Sequence, residues 1–568
     1  MKRRDLEMVI LVTIFFILCF LTSINTFTDS NSIKTSNEIE DISNLKISAI
    51  FDATEINDLP SSSNNWIWAK TMGICTGSGT QSDPYVIDGH IFHPSASDDC
   101  LKILNSRKYF TISNCEFRYA PNVFSGIYLL NTTNGMINNN EFHHNIYGLY
   151  AAYSRNIDIS GNKFYLNEVD GLYFYNCHGN KITNNNLSLN GFQGMWMGES
   201  SNNMISGNVA FNNNLSGLSI ENCDYTTISD NMLNYNNYSG LKINNNYFAN
   251  VKNNEIKENN REGLYCNGNL NTSITENIIC NNAWYGITAL NLYDNLIARN
   301  EIYLNLRDGI FITESHKISI ANNNLSLNGY QGMWMEFSSD NTISDNLAHN
   351  NNYSGIYLYE CDYSTVSGNM LNFNVFSGLR IQYNILTYIE NNEMKENIRE
   401  GMYFRSNLNC TISRNKIKDN IWDGIFARFS NGTIITENFF IDNGISGLRF
   451  DASCKLNRIY LNCFDTSVNN AVNARDDGIN NQWDNGIKGN YWSNYTGLDS
   501  DIDGIGNSPY NIAGVAGSQD NFPLMVCPLP LTSPEDMGKI PSYNLFIISL
   551  VITLSLGIIW VINRKKLR

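Results

Sequence analysis

Positive charge and histidine are scarce in this sequence. Its 568 residues carry 38 lysines and arginines against 54 acids, a formal net charge of −16. Nucleic-acid binding needs a basic footprint, so that class is excluded. An acidic body suits a surface that must stay soluble, or one that holds cations. With seven histidines and no spaced His/Cys cluster, little is available for a transition-metal centre. The long Leu- and Ala-rich units of helical solenoids, about 33–47 residues each, are also missing. Short alternating apolar runs broken by Asn and Gly stand in their place, the pattern of strands and turns.

What is there is a repeat. The line NNNLSLNGFQGMWM from Asn184 returns as NNNLSLNGYQGMWM from Asn322, 138 residues on. Aligned on glycine, Gly126 is followed by Gly148 after 22 residues, and a spacing of 23 then holds to Gly447, fifteen units in all. The 138 residues are six units, so a six-unit block was duplicated; NNEIKENNREGLY and NNEMKENIREGMY are a second pair at that separation. The residue after each Gly is Leu, Ile or Met, the third is apolar, and the eleventh is Ile or Val in nearly every unit. The fourteenth is Asn in the first fourteen units, and the fourth before Gly is Asn in all but the 22-residue unit, which has His144. A unit of 23 residues wraps once as a coil of three short strands, and coils stack at roughly 4.8 Å. The asparagines then form ladders at the turns, and the repeated Gly permits backbone geometry that a Cβ disfavours. The expectation is an all-β, right-handed parallel β-helix, a single-stranded solenoid of fifteen coils, on the order of 70 Å long.

The ends are of another kind. MKRRDLEMVILVTIFFILCFLT opens the chain as a secretory signal or uncleaved anchor over 1–26, with no clear A-x-A-like cleavage site to decide between them. Residues 27–65 read as a linker, 66–125 as the opening of the β-helix with its N-terminal cap, 126–470 as the repeats, and 471–525 as a C-terminal cap with an Asp-rich loop. A stalk over 526–542 leads to an apolar run over 543–562, long enough to span a bilayer as a transmembrane helix. The basic tail, 563–568, belongs on the cytoplasmic side. The protein is therefore expected in the cell membrane, single-pass, with its body extracellular. Ten Asn-x-Ser/Thr triplets, among them Asn131, Asn186, Asn324 and Asn494, fit an exported chain, although an Asn-rich sequence makes such triplets by chance. Of thirteen cysteines, Cys177, Cys223 and Cys361 share one slot of the repeat and read as buried thiols; Cys454–Cys463 and Cys100–Cys115 are the pairs to check for bridges.

If the first and third residues after Gly face the core, the second faces out. That column reads Tyr128, Tyr150, Tyr173, Trp196, Ser219, Lys242, Tyr265, Thr288, Phe311, Trp334, Tyr357, Arg380, Tyr403, Phe426 and Arg449. Its ten aromatic members form a stripe of the kind that stacks on sugars or meets a protein partner; the alternative is aromatics laddering on one another for stability alone. Met195, Met197, Met333 and Met335 point inward. Acids gather before the Gly, and Glu400 and Asp423, on adjacent coils, are the candidates for paired-carboxylate glycoside chemistry. The competing reading is a solvated ion pair at a turn, with the bases of REG and RDG beside the acids. In DSDIDGIGN, Asp499, Asp501 and Asp503 alternate before Gly504, as in loops that wrap oxygen ligands around Ca²⁺. Tyr510 stands where a full loop of that type has Glu, so a missing ligand must come from elsewhere, with Asp520 the candidate.

The 22–23-residue Asn-rich repeats resemble those of NosD-like and pectate-lyase-like proteins. GSGTQSDPYVIDG (Gly77–Gly89) is similar to the motif that opens such helices. GNYWSNYTGLDSDIDGIGNSPYNI (Gly489–Ile512) with DNFPLM (Asp520–Met525) resembles the C-terminal signature of NosD-like archaeal surface proteins. The resemblance covers about residues 66–525 and implies the β-helix; it also raises copper. The two Met pairs lie six coils apart, roughly 29 Å, too far to share an ion, so copper is disfavoured. The fold carries many activities, and the polygalacturonase, pectate lyase and mannuronan epimerase motifs (Asn-Thr-Asp with Gly-His-Gly, Arg-x-Pro-x-x-Arg, Asp-Pro-His) are missing here. The reading is a membrane-anchored surface for polysaccharide or cell-surface glycan, non-catalytic. A polysaccharide lyase, hydrolase or epimerase in the same groove is the alternative, and a structural or adhesion spacer with a surface protein partner the third.

Overall fold

The computed structural model describes residues 49–121, 123–468 and 471–529. The signal or anchor over 1–26 and the span over 543–562 lie outside the described residues; within them, no helix is long and apolar enough to cross a membrane. The chain winds as a right-handed parallel β-helix. One coil contributes Leu172–Tyr175 to a first face, Lys181–Thr183 to a second and Asn186–Ser188 to a third. Each strand pairs in parallel with its counterpart one unit on, as Leu172 with Met195 and Lys181 with Met204. The stack is longer than the repeat count: Thr54–Asn57 and Leu101–Leu104 precede the repeat strands of the first face, and Val472–Asp476 follows them. Part of the expected linker, from Ala49, is thus already in the stack.

Period-two alternation fills the interior. Leu172, Phe174, Ile182 and Leu187 are fully buried, as are their equivalents along the chain. Rings stack on rings inside the third face at both ends. Phe92, Phe117, Phe142 and Phe164 follow one another at 5.0, 4.9 and 4.4 Å. Phe440, Phe464, Trp492 and Tyr510 do so at 4.6, 4.5 and 4.3 Å.

Polar atoms enter this interior in columns. From Asn140 to Asn490, sixteen asparagines form one ladder, each Nδ2 donating to the next Oδ1 at 2.9–3.0 Å. Asn254 is typical: its N and Nδ2 donate to Asn277 Oδ1, and Nδ2 also donates to the carbonyls of Ile228 and Lys252. A second ladder runs from Asn145 to Asn443. In the 22-residue unit Asn145 holds the rung, and His144 turns out at a positive φ of 55°. The lost residue therefore comes from the segment between rung and glycine, and the ladder is kept.

Four corners per coil are left-handed. After Gly217 they are Asn222, Tyr225, Asp230 and Tyr235, with φ of 54–59°. Each is followed by a buried inward side chain: Cys223, Thr226, Asn231 and Asn236. Such φ costs an ordinary residue roughly 1–2 kcal/mol, and the inward polar residue that follows offsets the strain through its hydrogen bonds. This corrects the expectation for the glycines. The aligned glycines are not needed for positive φ. A Cβ on Gly309 would lie 2.5 Å from the carbonyl oxygen of Gly332 and 2.7 Å from Nδ2 of Asn328, so Gly is required by the approach of the next coil. The cysteine slot is likewise a polar position: Cys223 donates its thiol to the Glu221 carbonyl at 3.1 Å, while its N–H donates to Asn246 Oδ1. Among the described residues ten cysteines are free and buried, Cys100, Cys115 and Cys454 among them; Cys463 pairs with Cys527 rather than Cys454.

Both ends are closed. A short helix, Trp66–Thr71, capped by Asn65, buries Trp66, whose ring stacks on Tyr85 and whose Nε1 donates to Ser106. At the other end Trp483 and Trp492 are buried, and the disulfide ties the last third-face strand of a full coil to the segment at 527. Acids preceding the glycine are buried beside the ladder. Asp170 and Asp308 accept the N–H groups of Gln193 and Gln331, and burial pushes both carboxyls up to about 7.

Gly309→Ala is expected to cost about 1–3 kcal/mol by forcing coils apart, read as a lowered Tm. The buried aspartates set a pH dependence. Between about pH 4 and 7 the folded state holds more protons than the unfolded one, so stability falls as pH rises through that window and levels off above it. Asp170→Asn/Asp308→Asn keeps the acceptors and removes the charge. Its Tm should exceed the parent's at pH 8 by roughly 2–5 °C, and the difference should vanish below pH 4.

Candidate functional site

The outward column of the first face is one file of register partners, Tyr128 to Tyr150 to Tyr173 to Trp196 and onward to Arg449. Its rings are half-buried against each other. In the lower run Tyr128 and Tyr150 are tilted at 5.4 Å, and Tyr150, Tyr173 and Trp196 stack at 4.7 and 4.5 Å. In the upper run Phe311, Trp334 and Tyr357 follow at 5.2 and 5.9 Å. Arg380 then lies between Tyr357 and Tyr403, and Arg449 covers Phe426 at 3.8 Å. Between the runs Ser219 and Thr288 are buried, Lys242 is 2.9 Å from Glu221, and Tyr265 stands apart from other rings of the column. The duplicated tryptophans differ in setting. A Cβ on Gly198 would meet the Trp196 ring at 2.2 Å, so glycine lets that indole lie across the strand, whereas Glu336 takes this place beside Trp334.

A second column went unnoticed in the sequence, two residues before the glycine. Arg261 lies between Tyr238 and Trp284, at 4.2 and 4.1 Å, and Arg307 follows at 5.0 Å from Trp284. Tyr330, Tyr353 and Phe376 stack at 5.0 and 4.9 Å, and Arg399 lies between Phe376 and Trp422. Reading that column down the same alignment would have found it. It also explains the arginines of REG, whose guanidiniums stand 3.8 and 3.7 Å from Glu262 and Glu400 and are held chiefly by rings. Cation–π contacts of this kind contribute roughly 0.5–2 kcal/mol each.

The acids are not solvated turn residues. Glu262 is 5% exposed, Glu400 1% and Asp423 0%. Ser377 donates to Glu400, Ser446 donates to Asp423, and Arg449 Nη2 is 2.7 Å from Asp423 Oδ2. Burial holds the Asp423 carboxyl up, to about 6, with Ser446 and Arg449 pulling it back. Glu400 and Asp423 do come together on adjacent coils, but beneath the surface, where a glycosidic oxygen has no direct approach.

In the C-terminal loop, Asp499, Asp501 and Asp503 each offer an oxygen, all within 4.8 Å of one another. Asp520 is not with them. It is buried at the end of the first asparagine ladder, accepting from Asn490 N, Trp492 Nε1 and Phe522 N. A carboxylate suits a last rung that has donors below it and no further Asn above.

The inward methionines are fully buried in the core, and the thiol of Cys223 is held up at about 12 by burial. His143 and His144 meet through their Nδ1 atoms at 2.8 Å, with Glu116 on His143 Nε2. Among the described residues, the His, Cys, Asp and Glu side chains that converge in a group of three are those of Asp499, Asp501 and Asp503.

Comparison with known proteins bears on the fold and the family. Among solved structures, the Azotobacter vinelandii mannuronan C-5 epimerase AlgE4 A-module is 13% identical over 55% of this chain and 88% of its own, with a TM-score of 0.37. The periplasmic alginate epimerase AlgG is 12% identical over 76% and 85%, with a TM-score of 0.27. The siphovirus 9NA tailspike receptor binding domain is 10% identical over 60% and 76%, with a TM-score of 0.37. No curated protein matches. The right handed beta helix region family matches residues 216–371 and 291–397. The family described as periplasmic copper-binding protein (NosD) matches residues 104–284 and 371–497, more than half of the chain. With the coil stack, its asparagine ladders and these matches together, the chain belongs to the NosD family of β-helix proteins.

Proposed function

We propose that this protein is a glycan-binding β-helix displayed outside the cell, with the aromatic file of the first face as its contact surface and no catalysis of its own. The observation that carries this reading is the run Tyr128–Tyr150–Tyr173–Trp196, tilted at its first step of 5.4 Å, stacked at 4.7 and 4.5 Å after it, and half-exposed to solvent. A sugar ring presents apolar C–H faces, and a continuous aromatic track suits successive rings of a polymer. The Cys463–Cys527 bridge supports an oxidising, extracytoplasmic location for the body, with the apolar segment over 543–562 as the membrane anchor.

A polysaccharide lyase, hydrolase or epimerase on the same face is the second reading. It is favoured by Asp423, whose carboxyl burial pushes up to about 6, on the coil next to Glu400, and weakened by the burial of both. We also propose Ca²⁺ in the loop of Asp499, Asp501 and Asp503, holding the C-terminal cap.

Native affinity electrophoresis of the full-length chain through gels cast with different polysaccharides is expected to show retardation. Trp196→Ala/Trp334→Ala should lose at least tenfold in affinity, while Asp423→Asn should retain it. Retardation indifferent to both tryptophans would remove the stripe from the binding face. Product release by the wild type, abolished in Asp423→Asn, would favour the enzyme instead. Calcium at a hundredfold excess over its Kd should stabilise the fold by about 2.7 kcal/mol, and Asp501→Ala/Asp503→Ala should cancel the gain in Tm.

A further inference from the structure

The six-unit duplication supplies an internal comparison, since residues 138 apart occupy equivalent places on the same face. In the first copy, Lys242 is neutralised by Glu221, and the neighbouring outward positions are Asn267, Leu290 and Phe311. In the second copy the equivalents are Arg380, with Tyr359 in place of the glutamate, then Arg405, Arg428 and Arg449. The stacked pair Tyr285–Phe311, at 5.1 Å, is replaced as a unit by the ion pair Asp423–Arg449. Arg475 follows on the next strand. A chain of net charge −16 thus gathers five guanidiniums on adjacent strands at one end of one face.

Part of their arrangement opposes stability. Arg405 is the register partner of Arg428, and Arg449 that of Arg475. Like charges directly opposite on neighbouring strands are destabilising. Three of the five have a carboxylate: Arg428 with Asp451 at 3.0 Å, Arg449 with Asp423 at 2.7 Å, and Arg475 with Asp477 at 2.8 Å. Arg380 and Arg405 have none among the described residues, and Nε of Arg405 is buried without a hydrogen-bond partner. Between these arginines stand the rings of Tyr403 and Phe426. Rings that stack on sugar, interleaved with guanidiniums that take carboxylates through two parallel hydrogen bonds, match one chemistry. Adjacent coils, about 4.8 Å apart, also present these groups at a separation comparable to one sugar residue.

We propose that this end of the first face binds a polyuronate, a glycan bearing a carboxylate on each sugar, with Tyr403 and Phe426 under the rings and Arg380, Arg405 and Arg428 on the carboxylates. The inference rests on the glycan-binding reading above and adds the substrate class. The test measures binding of the full-length chain to polygalacturonate and to the same polymer with its carboxylates methyl-esterified. The wild type should bind the acid at least tenfold more tightly than the ester, with an advantage that shrinks as salt is raised. Arg405→Asn/Arg428→Leu installs the residues that the first copy carries at these positions, and should weaken binding of the acid until the two polymers are within about twofold. Arg405→Gln, which disturbs packing less, should reduce the preference in the same direction. Equal binding of acid and ester by the wild type, or a preference that survives in the double variant, would overturn the polyuronate assignment and leave the glycan-binding face intact. Binding to neither polymer nor to any neutral glycan would overturn the broader reading, and this inference with it.

Discussion

A buried amide needs partners, and in this fold it can find them only one coil away. Nearly every interior Asn of the two ladders gives its Nδ2 protons to the next side-chain oxygen and to a backbone carbonyl of the preceding coil, as Asn254 does. Leaving such a group unpaired costs roughly 1–3 kcal/mol, so the columns resist any slip of register, and coils of other lengths keep the rung. The single 22-residue unit illustrates the constraint: the deletion is absorbed between Asn145 and Gly148, and the rung survives. The same demand explains the last rung, where Asp520 accepts the donors that a further asparagine would otherwise take.

Once coils are locked at one spacing, every outward column becomes a file of near-identical distances. Aromatic residues in such a file stack, and arginines intercalate between them, because both present flat faces at the separation the backbone imposes. The file after the glycine and the file before it are two outcomes of the same geometry. Stacking stabilises the solenoid and leaves a regular row of ring edges at the surface. The duplication then gave a stable surface in two copies, of which the second exchanged a ring pair for Asp423 and Arg449 without disturbing the coils.

Much of this was legible in the residues. The period of 23, the inward apolar alternation and the Asn columns depend on local order alone, and the strand pairs confirm them unit for unit. The outward file from Tyr128 to Arg449 follows from the two-residue period of a strand and was placed correctly. Less visible was the reason for the glycines: Gly309 looks like a residue chosen for conformational freedom, yet it is there because the carbonyl of Gly332 and the amide of Asn328 come too close for a Cβ. Cys463 could not be matched to Cys527 by spacing, since their approach depends on how the cap folds over the last coil.

By itself, then, the sequence determined the coil, its length and which side chains face in or out, because each is set by periodicities carried within one unit. Tertiary structure alone decided what stacking does to those side chains. It buried Glu400 and Asp423 under a surface where they had seemed exposed, sent Asp520 to the end of a ladder and away from the aspartate loop, and set arginines between rings and beside one another. These are properties of neighbours 23 or more residues apart, and burial, ion pairing and charge repulsion arise only when the coils are brought into contact.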